Sequence, residues 1–240
     1  MSSIGRVLGL IDLFTEAQPV WTADRLIQEQ GTSRATTYRD LKALVDAGFL
    51  TPVGAGSYAL GPRFIEIDRQ IRLADPLLKV APPILAAQRE SFAGTQLLVR
   101  FYGMRVLTIY EDRTDDRILT SLDRGRPVSL SHSSPSRVIL AHLPKEQQQR
   151  LFLQHAGEIA EMGLGESWPA FQAKLCEIRE QGIAVASDID KDLIGFASPI
   201  FMAPGSISAA FVLGRIKNEV DTAEHDRLIA LSKSIAGKIS

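Results

Sequence analysis

One stretch, TADRLIQEQGTSRATTYRDLKALVDAGFL from Thr22 to Leu50, limits the possible folds more than any other. Thr22 suits the N-cap of a helix whose apolar side carries Leu26 and Ile27. Gly31 stands where a helix would end in the left-handed conformation. Thr32 or Ser33 can cap the next helix, which should run to Gly48. Two helices joined by so short a Gly-containing turn form a helix-turn-helix. Upstream, Ile4, Val7, Leu8, Ile11 and Phe14 recur at helical spacing and stop before Pro19. Downstream, FLTPVGAGSYALG reads as two short strands around a Gly54-Ala55-Gly56 turn, where a wing would lie.

Projected at 100° per residue, the helix after Ser33 turns Thr37, Tyr38, Leu41, Leu44 and Val45 to one side, and Arg34 points the same way in the first turn. Ala35, Thr36, Arg39, Lys42, Ala43 and Asp46 fall on the other. That outward face is small, hydroxylic and basic, a combination suited to insertion in a major groove. Ser33, Arg34, Thr36, Thr37 and Arg39 are the expected DNA contacts. Arg39 would read a base, and the others would fix register on phosphates or nearby edges. The net charge of −1 shows no overall basic excess, so any attraction to a polyanion must be local. It is local here, because Arg34, Arg39 and Lys42 face only Asp40 within Ser33–Lys42. A single such module makes few base contacts, so specific affinity calls for a dimer on two half-sites.

The 240 residues are comfortable for two domains, and 45% hydrophobic content supplies a sizeable core. GPRFIEIDRQIRLADP is expected to be a helix connecting the domains, with Phe64, Ile67 and Ile71 on one face and an end near Pro76. A further helix is expected over Leu77–Ala93. QLLVRFYGMRVLTIYED reads as a hairpin about Gly103, and RILTSLD and RPVSLS as further strands. SPSRVILAHLP, KEQQQRLFLQHAG and WPAFQAKLCEIREQG read as helices. GIAVASD, GFASPIFMAP and SISAAFVLGRI read as strands, and TAEHDRLIALSKSIAGKI as a closing helix. Strands and helices mixed in this way predict an α+β domain with helices packed on a sheet.

At this point the residues resemble a known family. SRATTYRDLKALVDAGFL followed by YALGPRF is similar to the recognition helix, wing and exit of the IclR family of bacterial transcription regulators. GRPVSLSHSSPSRVILAHLP and REQGIAVASDIDKDLIGFASPIF resemble two later blocks of that family, in the same order. Ser136-Arg137 stands where the family has Gly-Lys, and Asp188 matches its usual Glu. The resemblance implies a winged helix-turn-helix domain over 1–61, a linker helix over 62–75, and a GAF-like effector-binding domain over 76–240. The sheet of that last domain should be mainly antiparallel. It also implies a homodimer or homotetramer on double-stranded operator DNA, modulated by a small organic metabolite and controlling a catabolic operon.

The C-terminal half offers a place for that metabolite. SLSHSSPS puts five serines and His132 at a strand-to-helix junction. Ser133, Ser134 and backbone groups by Pro135 could hold the anionic or polar end of a carboxylate or aromatic effector. Leu193, Phe211 and Leu213 would touch its carbon skeleton. Thr120, Asp188 and Gly195 complete the expected effector contacts. A Ser-rich helix cap explains the same serines equally well.

Other chemistry finds little support. The four histidines are scattered, and no GxSxG, HExxH or GxxxxGK[ST] motif occurs, so neither catalysis nor a metal or cofactor is expected. The single cysteine, Cys176, lies in an amphipathic helical pattern and is expected to be packed. No apolar run reaches the roughly 18 residues that span a bilayer, and no signal peptide is recognisable, so a cytoplasmic protein without a membrane partner is expected. Two other functions stay open: a sensor whose N-terminal domain only dimerises, and an enzyme with an appended helical domain.

Overall fold

The computed structural model describes residues 3–103, 105–118, 123–128, 133–187 and 192–240. The chain packs as two units, Met1–Asp75 and Pro76–Ser240.

The first unit contains α1 (Ser3–Asp12), β1 (Trp21–Thr22), α2 (Ala23–Gln30), α3 (Arg34–Asp46), β2 (Leu50–Gly54), β3 (Ser57–Leu60) and α4 (Arg63–Ala74). Local chemistry sets its boundaries. Thr22 Oγ1 accepts the Arg25 N–H at the start of α2. Gly31, at φ 60°, ψ 29°, ends α2 and donates its N–H to the Ile27 and Gln28 carbonyls. Ser33 Oγ accepts the Thr36 N–H and so caps α3. β1, too short to show a sequence pattern, pairs with β3 to give an antiparallel sheet in the order β1-β3-β2. The β2–β3 turn is left-handed throughout, with φ of 95° at Gly54, 48° at Ala55 and 68° at Gly56. Leu10, Phe14, Trp21, Leu26, Leu41, Leu44 and Leu50 form the core.

The second unit is built on a six-stranded antiparallel sheet in the order β6-β5-β4-β9-β8-β7. Its strands are β4 (Thr95–Tyr102), β5 (Arg105–Arg113), β6 (Pro127–Val128), β7 (Ala184–Ala186), β8 (Leu193–Ile200) and β9 (Ala209–Ile216). Its helices are α5 (Pro76–Ala86), α6 (Ser134–His142), α7 (Lys145–Glu161), α8 (Trp168–Gln181) and α9 (Thr222–Ile239). Strand alternation sorts the core into two layers. Leu97, Val99, Ala197, Ala210 and Val212 pack with residues of α6, α7 and α8. Leu98, Phe196, Phe211 and Leu213 pack on the opposite side with residues of α5 and α9. Both faces of the sheet are therefore covered, which is why its strands are apolar almost without interruption.

The helix expected over Leu77–Ala93 stops at Ala86 and continues as turns through Phe92. Pro82 and Pro83 lie inside it and remove two backbone donors, which shortens the regular hydrogen-bond ladder. The segment is fastened to the sheet instead. Gln96 Nε2 donates to the Leu85 carbonyl, and Arg89 forms a two-pronged pair with the buried Asp112 carboxylate. Cys176 is exposed, contrary to expectation. The inward stripe of α8 is Phe171, Leu175 and Ile178, and the residue after Leu175 turns outward. Among the described residues no helix is long and apolar enough to cross a membrane.

Candidate functional site

The outer face of α3 is the first candidate. Ser33, Arg34, Ala35, Arg39, Lys42 and Ala43 are exposed, and Thr36 is half-buried. Two of the three cations already have partners: Arg34 Nη2 lies 2.7 Å from Asp24 Oδ1, and Lys42 Nζ 2.7 Å from Asp46 Oδ2. Both pairs are exposed and so cost little to exchange for a phosphate. Arg39 makes no ion pair among the described residues. Asp40, the acid within the basic stretch, is turned inward. It is 5% exposed and pairs with Arg6 of α1, Nε to Oδ2 at 2.9 Å. Its charge is thus compensated on the inner side, and the outer face keeps its positive balance.

Thr37 does not belong with the DNA contacts. It is fully buried, its hydroxyl 2.7 Å from Thr32 Oγ1 and donating to the Ser33 carbonyl. It braces the turn between α2 and α3. Three residues later than Arg34 and four before Leu41, it falls on the side of α3 that meets the core.

The second candidate lies where α6 meets the sheet. Ser133, Ser134 and Ser136 are all buried, as is Pro135. Ser133 Oγ accepts the Ser136 N–H and bonds Ser136 Oγ at 2.8 Å, so this serine is occupied as a cap. Pro135 has no N–H, which leaves Ser134 as the main first-turn donor for a ligand. Ser134 lies close over β8: a Cβ placed on Gly195 would stand 2.7 Å from Ser134 Oγ. Gly195 is thus needed for α6 to approach, and the half-buried Leu193 shares its face of the strand.

Phe211 and Leu213 are not part of this site. Both are fully buried on the opposite face of the sheet, in the core beneath α5 and α9. Adjacent residues of a strand point to opposite faces, so the residues of β9 that share the α6 side are Val212 and Gly214. Gly214 pairs with Thr95 across β4, and a Cβ on it would meet the Thr95 methyl at 2.6 Å. Thr95 Oγ1 and Thr108 Oγ1 are both buried and have no hydrogen-bond partner among the described residues. Thr108 pairs with Val99, a residue of the α6-side core, so the two hydroxyls lie on the same face of the sheet as Ser134. Sequence reasoning missed both threonines. Their signal was a hydroxyl placed in an otherwise apolar strand. Thr120 and Asp188 lie outside the described residues.

Comparison with known proteins shows the family of the chain. The model of the IclR helix-turn-helix domain matches residues 3–54. That of the bacterial transcriptional regulator IclR C-terminal domain matches residues 75–240. The chain belongs to the IclR family. It is a DNA-binding transcription regulator with a C-terminal effector-binding domain. The Pca regulon regulatory protein of Pseudomonas putida is 24% identical over 247 residues, covering 100% of this chain and 84% of that protein. An IclR homolog of Microbacterium hydrocarbonoxydans, solved in complex with 4-hydroxybenzoate, superposes with a TM-score of 0.81 at 19% identity, covering 99% of this chain and 97% of that one. An IclR family regulator of Brucella abortus gives a TM-score of 0.78 at 15% identity, covering 100% of this chain and 91% of that one. These matches give the IclR fold across both units of the chain.

Proposed function

We propose that this IclR-family chain acts as a homodimer whose α3 helices enter successive major grooves of a two-part operator. On that reading Arg39 reads a base, and Ser33, Arg34 and Thr36 hold the phosphate backbone. The observation that carries it is the exposed Arg39, without an ion pair among the described residues, at the centre of a small-residue helix face. Dimerisation is supported by apolar side chains that the N-terminal unit leaves in water. Ile4 is 71% exposed on α1 and Ile65 73% on α4, with Leu8 and Leu73 also exposed. Ile4 and Leu8 stand one turn apart on α1, and exposed apolar surface of this kind favours contact with another chain. A homotetramer would build on the same dimer. The chain works by binding rather than by turnover, in the cytoplasm, on a catabolic operon.

The effector is a small organic molecule with a polar end, of the kind 4-hydroxybenzoate represents in the Microbacterium homolog. It would receive hydrogen bonds from Ser134 and from the Thr95 and Thr108 hydroxyls, which share one face of the sheet. A buried hydroxyl without a partner costs about 1–3 kcal/mol. Thr108→Val should therefore stabilise the ligand-free protein, or leave it unchanged, while weakening the ligand. A thermal-shift series with organic acids checks both effects, since a ligand at about 100 times its Kd adds about 2.7 kcal/mol to the native protein. The expected result is a Thr108→Val protein with an equal or higher melting temperature and a diminished ligand shift. A lower melting temperature with the ligand shift intact would contradict the site.

A further inference from the structure

A cavity of about 840 Å³ opens at the other end of α6, between its C-terminus, the start of α7, α8 and the β8–β9 connection. The site proposed for the effector lies at the N-terminus of the same helix, about 12 Å away at 1.5 Å per residue. The cavity volume falls in the range of small-molecule sites. Its apolar wall is Leu175, Phe201 and Ile207, and its charged residues are Lys145 and Arg179. No Asp or Glu lines it among the described residues.

The cations are arranged for an anion. Arg179 donates Nε and Nη2 to the Ala141 carbonyl at 2.8 and 2.5 Å, so its guanidinium is held in place. Its Nη1 makes no hydrogen bond among the described residues. Lys145 is exposed as the first residue of α7 and has no ion pair among them. His142 adds an edge rather than a charge. Its Nδ1 must donate to the Val138 carbonyl, 2.9 Å away, and its ring meets Phe201 edge-on, with centroids 5.2 Å apart. Burial holds this imidazole below the usual histidine range. One wall of the cavity is thus aromatic and aliphatic, and the other carries two cations with no ion pair among the described residues.

We propose that this cavity is a second small-molecule site, separate from the effector pocket, which takes an amphiphilic organic carboxylate. The carboxylate is met by Arg179 and Lys145, and the hydrocarbon lies against Leu175, Phe201 and Ile207.

The structure supplies its own reporter, because Cys176 is exposed, lines the cavity and is the single cysteine of the chain. In the two-unit chain its thiolate attacks the disulfide of 5,5′-dithiobis(2-nitrobenzoate), forming a mixed disulfide and releasing one thionitrobenzoate. Sodium octanoate is the probe, with sodium chloride at equal concentration as the ionic-strength control. Octanoate should slow the reaction with a saturable dependence that the chloride does not reproduce. Lys145→Gln should weaken this protection about fivefold, the effect of one unit charge at close range in water. Arg179→Gln should weaken it similarly, and Lys145→Gln serves alone if loss of the Ala141 contact unfolds α6. Protection should persist in Thr108→Val, which separates this site from the effector pocket. Octanoate that fails to slow the reaction, or protection unchanged in Lys145→Gln, would overturn the proposal. Protection lost in Thr108→Val would also overturn it, by placing the carboxylate in the other site.

Discussion

Gly61→Ala is expected to unfold or severely loosen the N-terminal unit while leaving the C-terminal unit able to bind ligands. Gly61 follows β3 and crosses the end of α3 at close range. Its N–H donates to the Phe49 carbonyl at 2.8 Å, and the Arg63 N–H reaches the Gly48 carbonyl at 3.1 Å. A Cβ at Gly61 would stand 2.2 Å from the Gly48 oxygen and 2.9 Å from the carbonyl carbons of Gly48 and Phe49. These are backbone atoms, so no rotamer change relieves the clash. Gly48 is itself held at φ 76° by the turn that ends α3. Either the wing lifts away from α3 or the C-terminal turn of α3 opens. Overpacking of well-packed sites costs about 1–3 kcal/mol and sometimes more. Because backbone faces backbone here, the loss should reach about 3 kcal/mol or more, a fall in melting midpoint of at least about 12 °C for a unit of this size. Calorimetric melting of the full chain, with operator and ligand titrations beside it, reads the three effects separately. An unchanged melt with unchanged DNA affinity would mean that the wing does not sit on α3 as described.

Arg39→Ala is expected to weaken the cognate site by about 1–3 kcal/mol, or about 5- to 150-fold, and to relax specificity at one base pair. Its effect on stability should stay within about 0.5 kcal/mol, because the side chain is exposed and makes no ion pair among the described residues. Arg34→Ala should act differently. Arg34 is already paired with Asp24, so its release to a phosphate is partly offset, and its loss should weaken all sequences alike. Binding isotherms of both variants on the cognate duplex and on a scrambled one separate base reading from backbone contact. Equal losses on both duplexes in Arg39→Ala would move Arg39 from base reader to phosphate contact.

The parts of the fold that could be read from sequence are those where one local rule decides. Thr22, Gly31 and Ser33 cap and end helices by their own side-chain and backbone preferences, and the structure uses each in that role. The Gly54-Ala55-Gly56 turn was legible for the same reason. The effector face was harder. β9 runs Ala209-Ala210-Phe211-Val212-Leu213-Gly214, apolar on both faces because helices cover both. Such a strand carries no alternation to fix its phase, and a shift of one residue exchanges Phe211 and Leu213 for Val212 and Gly214. The helical repeat already puts Thr37 on the side of Leu41, and it is counted with the DNA contacts only for its hydroxyl, which suits an internal hydrogen bond as well as it suits DNA. Its partner Thr32 lies in the turn before the helix, outside the helical repeat. The Arg6–Asp40 pair joins α1 to α3 across 34 residues, a distance no local pattern reports.

The most direct test of the account is the affinity of the full chain for duplex DNA, measured by fluorescence anisotropy against salt concentration. The duplexes are one enriched from a random pool and its scrambled counterpart. The account predicts that log K falls steeply and linearly with log salt, by about 0.9 for each phosphate contacted, and that the enriched duplex binds at least roughly 10³-fold more tightly than the scrambled one. A flat salt dependence with no preference between the two duplexes would contradict it.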